Sequence, residues 1–252
     1  IEKLKREIFI LKGQLKFTEK SIRMNTTAIG LLPKFIEETE IKEIKIPKRK
    51  GLLNKKGSKS SFTSSADLRE TSFDLYELKD RLGRFLGSIA KNSFITAFGK
   101  PGSGKSTFFL QLADYFTQYG IVLYVTPEEG ISPTFQAKLK SNNISNEDIH
   151  ITAFTKLSEI RAALKKYNYA FCFIDSINMI VDAEPDKLEE LRNDYSDTCF
   201  AMILQSTKDG KFKGSNEYAH NSDIHIKVTA GLAETEKNRF NQLSEYEVFT
   251  KL

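Results

Sequence analysis

One segment of this chain combines a buried strand, a glycine-rich turn and the start of a helix. Residues 99–106 read Gly-Lys-Pro-Gly-Ser-Gly-Lys-Ser, and they follow the apolar run Ser93–Phe98. The spacing G-x-x-x-x-G-K-S after a strand is typical of a loop whose backbone N–H groups surround phosphate oxygens. The glycines allow the tight curl, and a helix from about Lys105 directs its positive end at the same oxygens. The segment therefore predicts an α/β domain with a phosphate site.

The side chains of this loop have expected roles. Lys105 would reach the β- and γ-phosphates, and the Ser106 hydroxyl would ligate Mg²⁺. The alternative is a glycine-rich strand-to-helix turn without a ligand. The residues that we expect to bind the nucleotide are Gly99, Pro101, Gly102, Ser103, Gly104, Lys105, Ser106 and Thr107.

Composition narrows the class of protein. With 252 residues, the chain can hold one large domain and an appendage. No apolar run approaches the roughly 18–20 residues of a membrane span, so we expect no membrane partner. Cys172 and Cys199 lie in apolar runs and read as core residues of a reducing, cytoplasmic protein, and no C-x-x-C pair offers a cysteine zinc site. The three histidines have no metal-ligand spacing and read as surface or loop residues.

The first 66 residues differ in charge from the rest. They carry 16 Lys+Arg against 7 Asp+Glu. Residues 1–46 form a predicted helical segment, because apolar side chains from Ile1 to Ile22 follow a heptad pattern. This helix either binds a partner or another copy, or packs on its own domain. Residues 47–66 read as a basic, serine-rich linker, which either touches nucleic-acid phosphates or is simply solvated.

From residue 67 the pattern becomes α/β. Apolar runs alternate with amphipathic stretches, which predicts a mostly parallel central sheet flanked by helices. After Gln205 the strands follow one another without long helices, and this predicts an antiparallel C-terminal extension. The expected strands are 94–98, 121–126, 149–152, 170–175, 199–205, 224–229, 231–237 and 246–250. The expected helices are 68–86, 107–119, 134–141, 157–167 and 187–193.

Two carboxylates are candidates for chemistry at the phosphate site. Asp175 ends the apolar run Phe171–Ile174, which places a carboxylate at the carboxyl edge of the sheet, where it would hold Mg²⁺. A helix-capping aspartate is the alternative. Glu128 follows the run Leu123–Val125 and could polarise the attacking water. A solvated glutamate pair that opens a loop fits the same residues.

The segment after the 199–205 strand is a basic loop that contains glycine. Gln205 could contact the γ-phosphate from the strand tip. Lys208, Lys211 and Lys213 could contact a nucleic-acid backbone, and Phe212 could stack on a base. A charged surface loop is the alternative for the three lysines.

These parts, in this order, resemble the RecA-type ATPase core and most closely its bacterial RadA branch. The resemblance covers about 67–252, and this sequence has neither the four-cysteine zinc module nor the protease-like C-terminal domain of that family. The matching stretches are 99–107, Leu-Tyr-Val-Thr-Pro-Glu-Glu (123–129), Phe-Ile-Asp-Ser-Ile (173–177), Thr-Lys-Asp-Gly (207–210), Glu217 and His220 with Asp223, Lys-Asn-Arg-Phe (237–240) and Tyr-Glu-Val-Phe (246–249).

The resemblance implies further roles. Glu128 matches the catalytic glutamate, and Gln205 matches the residue that senses the γ-phosphate. Lys237 and Arg239 match cationic fingers that reach the ATP of a neighbouring subunit, so a hexameric ring or a filament is implied. The preference for ATP, with Mg²⁺, rests on this resemblance.

Two functions of different kinds follow from these expectations. The first is a Mg²⁺-dependent ATP hydrolase that binds single-stranded DNA and acts as an oligomer in recombination, repair or replication. The second is a nucleotide-dependent assembly switch, similar to a helicase loader, whose N-terminal helix binds a partner. A small-molecule kinase is disfavoured, because the sequence has no arginine-rich lid.

Overall fold

A computed structural model describes residues 62–206 and 217–249. The larger of two units is Arg69–Leu252, and of the other unit, Ile1–Leu68, only residues 62–68 are described. The predicted N-terminal helix, most of the predicted linker and the loop with Lys208, Lys211, Phe212 and Lys213 lie outside the described residues. The linker's last two residues, 65 and 66, belong to a short helix.

An eight-stranded sheet forms the centre of the larger unit. Its strands are β3 (Phe94–Gly99), β4 (Val122–Val125), β5 (Ile149–Thr152), β6 (Phe171–Ile174), β7 (Cys199–Gln205), β8 (Ile224–Thr229), β9 (Leu232–Asn238) and β10 (Glu245–Glu247). They lie in the order β10-β9-β8-β3-β7-β6-β4-β5. Neighbours from β8 to β5 pair in parallel, whereas β9 and β10 pair antiparallel. The predicted parallel sheet with an antiparallel extension is confirmed.

Helices cover both faces of this sheet. The helices of the described residues are α1 (Ser65–Arg69), α2 (Asp80–Leu86), α3 (Lys105–Phe116), α4 (Pro133–Ser141), α5 (Leu157–Lys166), α6 (Pro185–Asp194) and α7 (Glu217–Asn221). Single 3₁₀ turns occur at Thr117–Tyr119 and Ile177–Met179. Helices α2, α3 and α4 contribute to the core on one face, and α5 and α6 contribute to the core on the other. The central strands are therefore buried on both sides, as their continuous apolar runs predict.

The prediction of a helix over 68–86 is wrong in its middle part. Residues 75–76 form β1, which pairs with β2 (Ile89–Ala90) in a separate two-stranded sheet. The Tyr115 hydroxyl accepts a hydrogen bond from the Lys79 N–H and donates one to its carbonyl, both at 2.7 Å, and the Tyr119 hydroxyl donates to the Glu77 carbonyl. These side chains provide the backbone partners that a continuous helix would otherwise supply.

Two smaller expectations also differ from the structure. The closing strand was expected over 246–250, but β10 ends at Glu247, because the backbone groups of Val248 bond elsewhere: its N–H donates to Gly231 and its carbonyl accepts from Gln111. His225 is not a surface residue, since its ring is 6 % exposed and stacks on Phe98. None of the helices within 62–206 and 217–249 has both the length and the apolar composition of a membrane-spanning segment.

Candidate active site

The glycine-rich loop follows β3, a strand at the centre of the sheet. Gly99 is the last residue of β3, and an added Cβ there would lie 2.1 Å from the Val228 carbonyl oxygen, so only glycine fits. Gly102 and Gly104 have φ angles of 74° and 104°, which L side chains rarely adopt. The loop then enters α3 at Lys105, where the Phe108 N–H donates to the Gly104 carbonyl. The sequence therefore folds as the loop motif predicts.

The loop has the features expected of a phosphate cradle. A Cβ built on Gly102 would meet no atom within 4 Å, so the turn is open at this residue. The Ser103 hydroxyl is buried and has no hydrogen-bond partner among the described residues. A buried polar atom without a partner is uncommon in folded proteins. This hydroxyl lies next to Gly99 and lines a separate opening together with Val228, so of the two features only the open turn bears on an anion in the main cleft.

Lys105 lies at the floor of the same cleft. Its ammonium group donates to the carbonyls of Gly99 and Lys100, each at 2.9 Å. Burial lowers the pKa of Lys105, whereas the charges of Asp175 and Glu128 act in the opposite direction. A cation that is partly desolvated gains from an anionic ligand, because the ligand offsets the cost of burying its charge.

Asp175 and Ser106 meet at the carboxyl edge of β6. The Asp175 N–H donates to the Val125 carbonyl, and its carboxylate accepts hydrogen bonds from the hydroxyls of Ser106 and Tyr124. Burial raises the pKa of Asp175, and the hydrogen bond from Ser106 and the charge of Lys138 oppose this rise. One hydroxyl and one carboxylate fit Mg²⁺, which usually takes few protein ligands and completes its shell with water and phosphate oxygens.

Among the described residues, no group of three or more His, Cys, Asp or Glu side chains is placed to hold a metal ion. A metal at Ser106 and Asp175 would therefore take its remaining ligands from water and phosphate oxygens.

Glu128 points into the same cleft. Its Oε2 accepts a hydrogen bond from Gln205 Nε2 at 3.1 Å and lies 3.3 Å from the Ser176 hydroxyl. Gln205 is itself held, because its backbone N–H donates to Asn178 Oδ1 at 2.8 Å. The carboxyl ends of β4, β6 and β7 thus bring together three residues that are far apart in sequence. The predicted site residues Glu128, Asp175 and Gln205 lie side by side.

Sequence reasoning missed one cation of the site. Lys138 lies on α4, which begins with Pro133 and is capped by the Ser132 hydroxyl. Its ammonium group pairs with Glu129 at 2.6 Å. Both residues line a cleft of about 570 Å³ that also contains the loop, Glu128, Asp175 and Gln205. A lysine on an amphipathic helix carries no sequence signal for this position, since such lysines are usually solvated.

Lys237 and Arg239 lie at the opposite end of the sheet. Asn238 pairs with Ile224, which pairs in turn with Ile95 near the start of β3. Arg239 is therefore about five residues, or about 16 Å of strand, from the level of Gly99. Its guanidinium group pairs with buried Asp223 at 2.8 Å, and Lys237 donates to the His220 carbonyl at 2.7 Å. The structure does not bring these two cations to the chain's own loop.

Comparison with known proteins agrees with this geometry, although no protein-family model matches. The chain is 27 % identical over 237 residues to the DNA repair protein RadA of Streptococcus pneumoniae, a match that covers 85 % of this chain and 55 % of the relative. It is 33 % identical over 221 residues to the DNA repair protein RadA of Rickettsia typhi, covering 77 % of this chain and 48 % of the relative. The chain spans about half the length of these curated relatives.

The extent of the first match corrects one expectation. Residues 67–252 make up about three quarters of the chain, so a match over 85 % of it extends into the first 66 residues. The resemblance is therefore longer than the sequence motifs indicate.

A solved structure supports the fold. The flagellar accessory protein FlaH from Methanocaldococcus jannaschii matches with a TM-score of 0.51 at 16 % identity, covering 66 % of this chain and 88 % of that chain. At this identity the likeness concerns the fold alone. Together with the RadA matches and the site geometry, it shows that this chain contains a RadA-like core of the RecA type.

Proposed function

We propose that this chain is a Mg²⁺-dependent ATP hydrolase of the RecA type that binds single-stranded DNA. It acts as a homo-oligomer in DNA recombination, repair or replication. The observation that carries the proposal is the convergence of Lys105, Ser106, Asp175 and Glu128 on one cleft beside an open glycine loop. The relatives' name, DNA repair protein RadA, supports the biological setting.

The residues of the cleft divide the chemistry among them. The backbone N–H groups of 102–106 and the Lys105 ammonium bind the phosphates, while Ser106 and Asp175 hold the metal. The Mg²⁺ ion supplies positive charge against the phosphate oxygens. Glu128 accepts a proton from the attacking water, and its hydrogen bonds to Gln205 and Ser176 fix its orientation. Gln205 would respond to the terminal phosphate.

The proposed DNA contacts follow β7 directly. Lys208, Lys211 and Lys213 would bind the phosphates of a single strand, and Phe212 would stack on a base. The support is their place in the chain, since residue 207 comes next after Ser206, whose hydroxyl donates to the Gly99 carbonyl at the site. Binding of a single DNA strand by this loop would be coupled to nucleotide binding through β7.

The distance between Arg239 and its own loop supports action between subunits. Arg239 is separated from the loop of its own chain by about 16 Å of strand, and Lys237 is held at the His220 carbonyl. In a ring or filament, the end of the sheet that carries Lys237 and Arg239 in one subunit would meet the loop of the next subunit. The proposed fingers would then stabilise the charge that builds up on the transferred phosphoryl group.

An ATPase assay with and without single-stranded DNA tests the proposal. The matched variants are a triple Lys208→Ala, Lys211→Ala, Lys213→Ala protein and a Lys91→Ala control, because Lys91 lies at the other end of the sheet and pairs with Asp74. We expect DNA to stimulate wild type and the control but not the triple variant, with similar basal rates. Hydrolysis that DNA never changes, at any protein concentration, would contradict the DNA-dependent function.

One sequence observation favours a second function. The heptad pattern from Ile1 to Ile22 fits a partner helix, so the chain could be an assembly switch that loads another protein. Deleting residues 1–61 distinguishes the two functions, since the deletion spares the described residues. A loader would lose partner binding and keep its ATPase activity, whereas a DNA-dependent ATPase would keep DNA stimulation as well.

A further inference from the structure

A second opening adjoins the main cleft. It has a volume of about 190 Å³ and lies where the loop passes into α3. It shares Gly102, Lys105, Ser106 and Lys138 with the main cleft, but Asp175 and Glu128 do not line it. Its own contributions include Gly104, Thr107 and Phe249. A ligand bound along the loop would thus meet carboxylates at one end and an aromatic ring at the other.

Phe249 is exposed but firmly held. Its side chain is 58 % exposed, whereas the preceding Val248 is 2 % exposed. The Val248 N–H donates to the Gly231 carbonyl at 2.7 Å, and its own carbonyl accepts from Gln111 of α3 at 2.9 Å. The backbone next to the ring is therefore fixed to both α3 and the β8–β9 turn.

Two glycines allow the ring to lie against the backbone of the loop. A Cβ added to Gly231 would come within 2.2 Å of the Phe249 ring, and one added to Gly104 would come within 3.0 Å. Both glycines have positive φ angles, 83° and 104°. Any other residue at these positions would push the ring away from the loop. One side of Phe249 is thus covered by backbone, and more than half of the side chain remains open to a ligand.

The orientation of a bound nucleotide follows from the positions of the charged groups. The lysine of such a loop reaches the β- and γ-phosphates, and Asp175 and Glu128 line the main cleft but not the second opening. The terminal phosphate therefore points toward these residues. The other end of the molecule leaves the loop past Thr107, in the direction of Phe249. An exposed aromatic ring at that end is suited to a flat aromatic group rather than to another phosphate.

We propose that Phe249 is the stacking surface for the base of the nucleotide whose phosphates the loop holds. The inference rests on the proposed function and adds the place and chemistry of base recognition. Stacking of a base on an aromatic side chain is tolerant of base identity, since every base has a π-face. The second opening then binds the base, and the main cleft holds the reacting phosphate.

Calorimetric titration with two ligands separates the base from the phosphates. ATP and inorganic tripolyphosphate, each with Mg²⁺, are titrated into wild type, Phe249→Ala and the control Leu243→Ala. Leu243 is 64 % exposed on the same C-terminal segment and does not line the opening. We expect Phe249→Ala to weaken the binding of ATP about tenfold to a hundredfold and to leave the affinity for tripolyphosphate unchanged. Equal ATP affinity in Phe249→Ala and wild type would overturn the inference.

A fluorescence readout tests the same contact directly. The chain contains no tryptophan, so Phe249→Trp introduces a single reporter at the proposed contact, with Leu243→Trp as control. ATP should quench the emission of Phe249→Trp, whereas tripolyphosphate should not, and Leu243→Trp should respond to neither. A Phe249→Trp protein that binds ATP by calorimetry without any change in emission contradicts base stacking. If wild type binds neither ligand, the proposed function itself fails.

Discussion

Glu128 and Glu129 are adjacent in sequence but have different partners. Glu128 faces Gln205 and Ser176 in the cleft, while Glu129 forms an ion pair with Lys138. We predict that Glu128→Gln lowers the rate of ATP hydrolysis at least about a hundredfold, because the amide cannot accept the proton of water. ATP binding, measured by calorimetry, should stay near the wild-type value. Glu129→Gln is the matched control, and full turnover in Glu128→Gln with loss in Glu129→Gln would reassign the base.

Gly99 and Gly130 offer a test of why the loop needs glycine. Gly130 has a φ of 66° with no atom near an added Cβ, so Gly130→Ala should cost about 1–2 kcal/mol of unfolding free energy. In Gly99→Ala the added Cβ would also overlap the Val228 carbonyl, which should raise the loss of unfolding free energy by a further ~1–3 kcal/mol. Urea unfolding of both variants measures the difference. Equal losses would mean that the β3–β8 contact is looser than described.

At the residue scale, the sequence predicts those site residues whose motif has a mechanical reason. The loop, Asp175 and Glu128 follow strand ends, and parallel strands end at one edge of the sheet, so their meeting could be anticipated. Lys138 and Phe249 could not be, because their positions depend on the angle of α4 and on the hydrogen bonds of Val248. Long-range packing of this kind leaves no local pattern.

Strand β8 carries a buried histidine that makes the element sensitive to acid. Burial, together with the nearby charge of Lys237, lowers the pKa of His225 from 6.5 to about 4. Between pH 6.5 and pH 4, His225 is protonated in the unfolded chain but neutral in the folded chain. Its contribution to the free energy of unfolding is therefore fully present above pH 6.5 and is lost as the pH falls toward 4. We predict a loss of about 2 to 3 kcal/mol from this group by pH 4.5.

The variant His225→Gln, which has no titrating ring, is the comparison for this effect. Urea unfolding at pH 7 and pH 4.5 should show a smaller loss in His225→Gln than in wild type. Parallel pH profiles for the two proteins would contradict the assignment of this acid sensitivity to His225.

At the element scale, the predictions succeed where burial alone decides. The runs over β3, β6 and β7 are mostly apolar, which suits strands buried on both faces, and the structure confirms them. The prediction of a helix over 68–86 is wrong in its middle part because the hydroxyls of Tyr115 and Tyr119, more than 30 residues away, form hydrogen bonds with the backbone there. Apolar spacing cannot reveal such a competitor for helical hydrogen bonds.

For the whole molecule, the position of Arg239 gives a prediction about assembly. Arg239→Ala should lose turnover because the finger is missing, and Lys105→Ala should lose it because the phosphate loop is incomplete. When the two are mixed in equal amounts and assemble at random, about a quarter of the interfaces pair an intact loop with an intact Arg239. The mixture should therefore regain activity in an ATPase assay. Asp223 keeps its ion pair with Arg192 in Arg239→Ala, so we expect that variant to fold.

The control for this experiment mixes Lys105→Ala with Glu128→Gln. Both residues line the same cleft of one chain, so no mixed interface contains a complete site and activity should stay low. Recovery in this control, or none in the Arg239 mixture, would contradict a finger that acts between subunits.

We propose that the edge of the sheet formed by β3, β4, β6 and β7 binds a triphosphate and its metal. A crystal or cryo-EM structure with Mg²⁺ and a non-hydrolysable ATP analogue tests it most directly. We predict phosphate density against the N–H groups of 102–106 and a metal ion between Ser106 and Asp175. Density for the nucleotide elsewhere, or a loop that stays empty at saturating analogue, would show that this edge is not the nucleotide site.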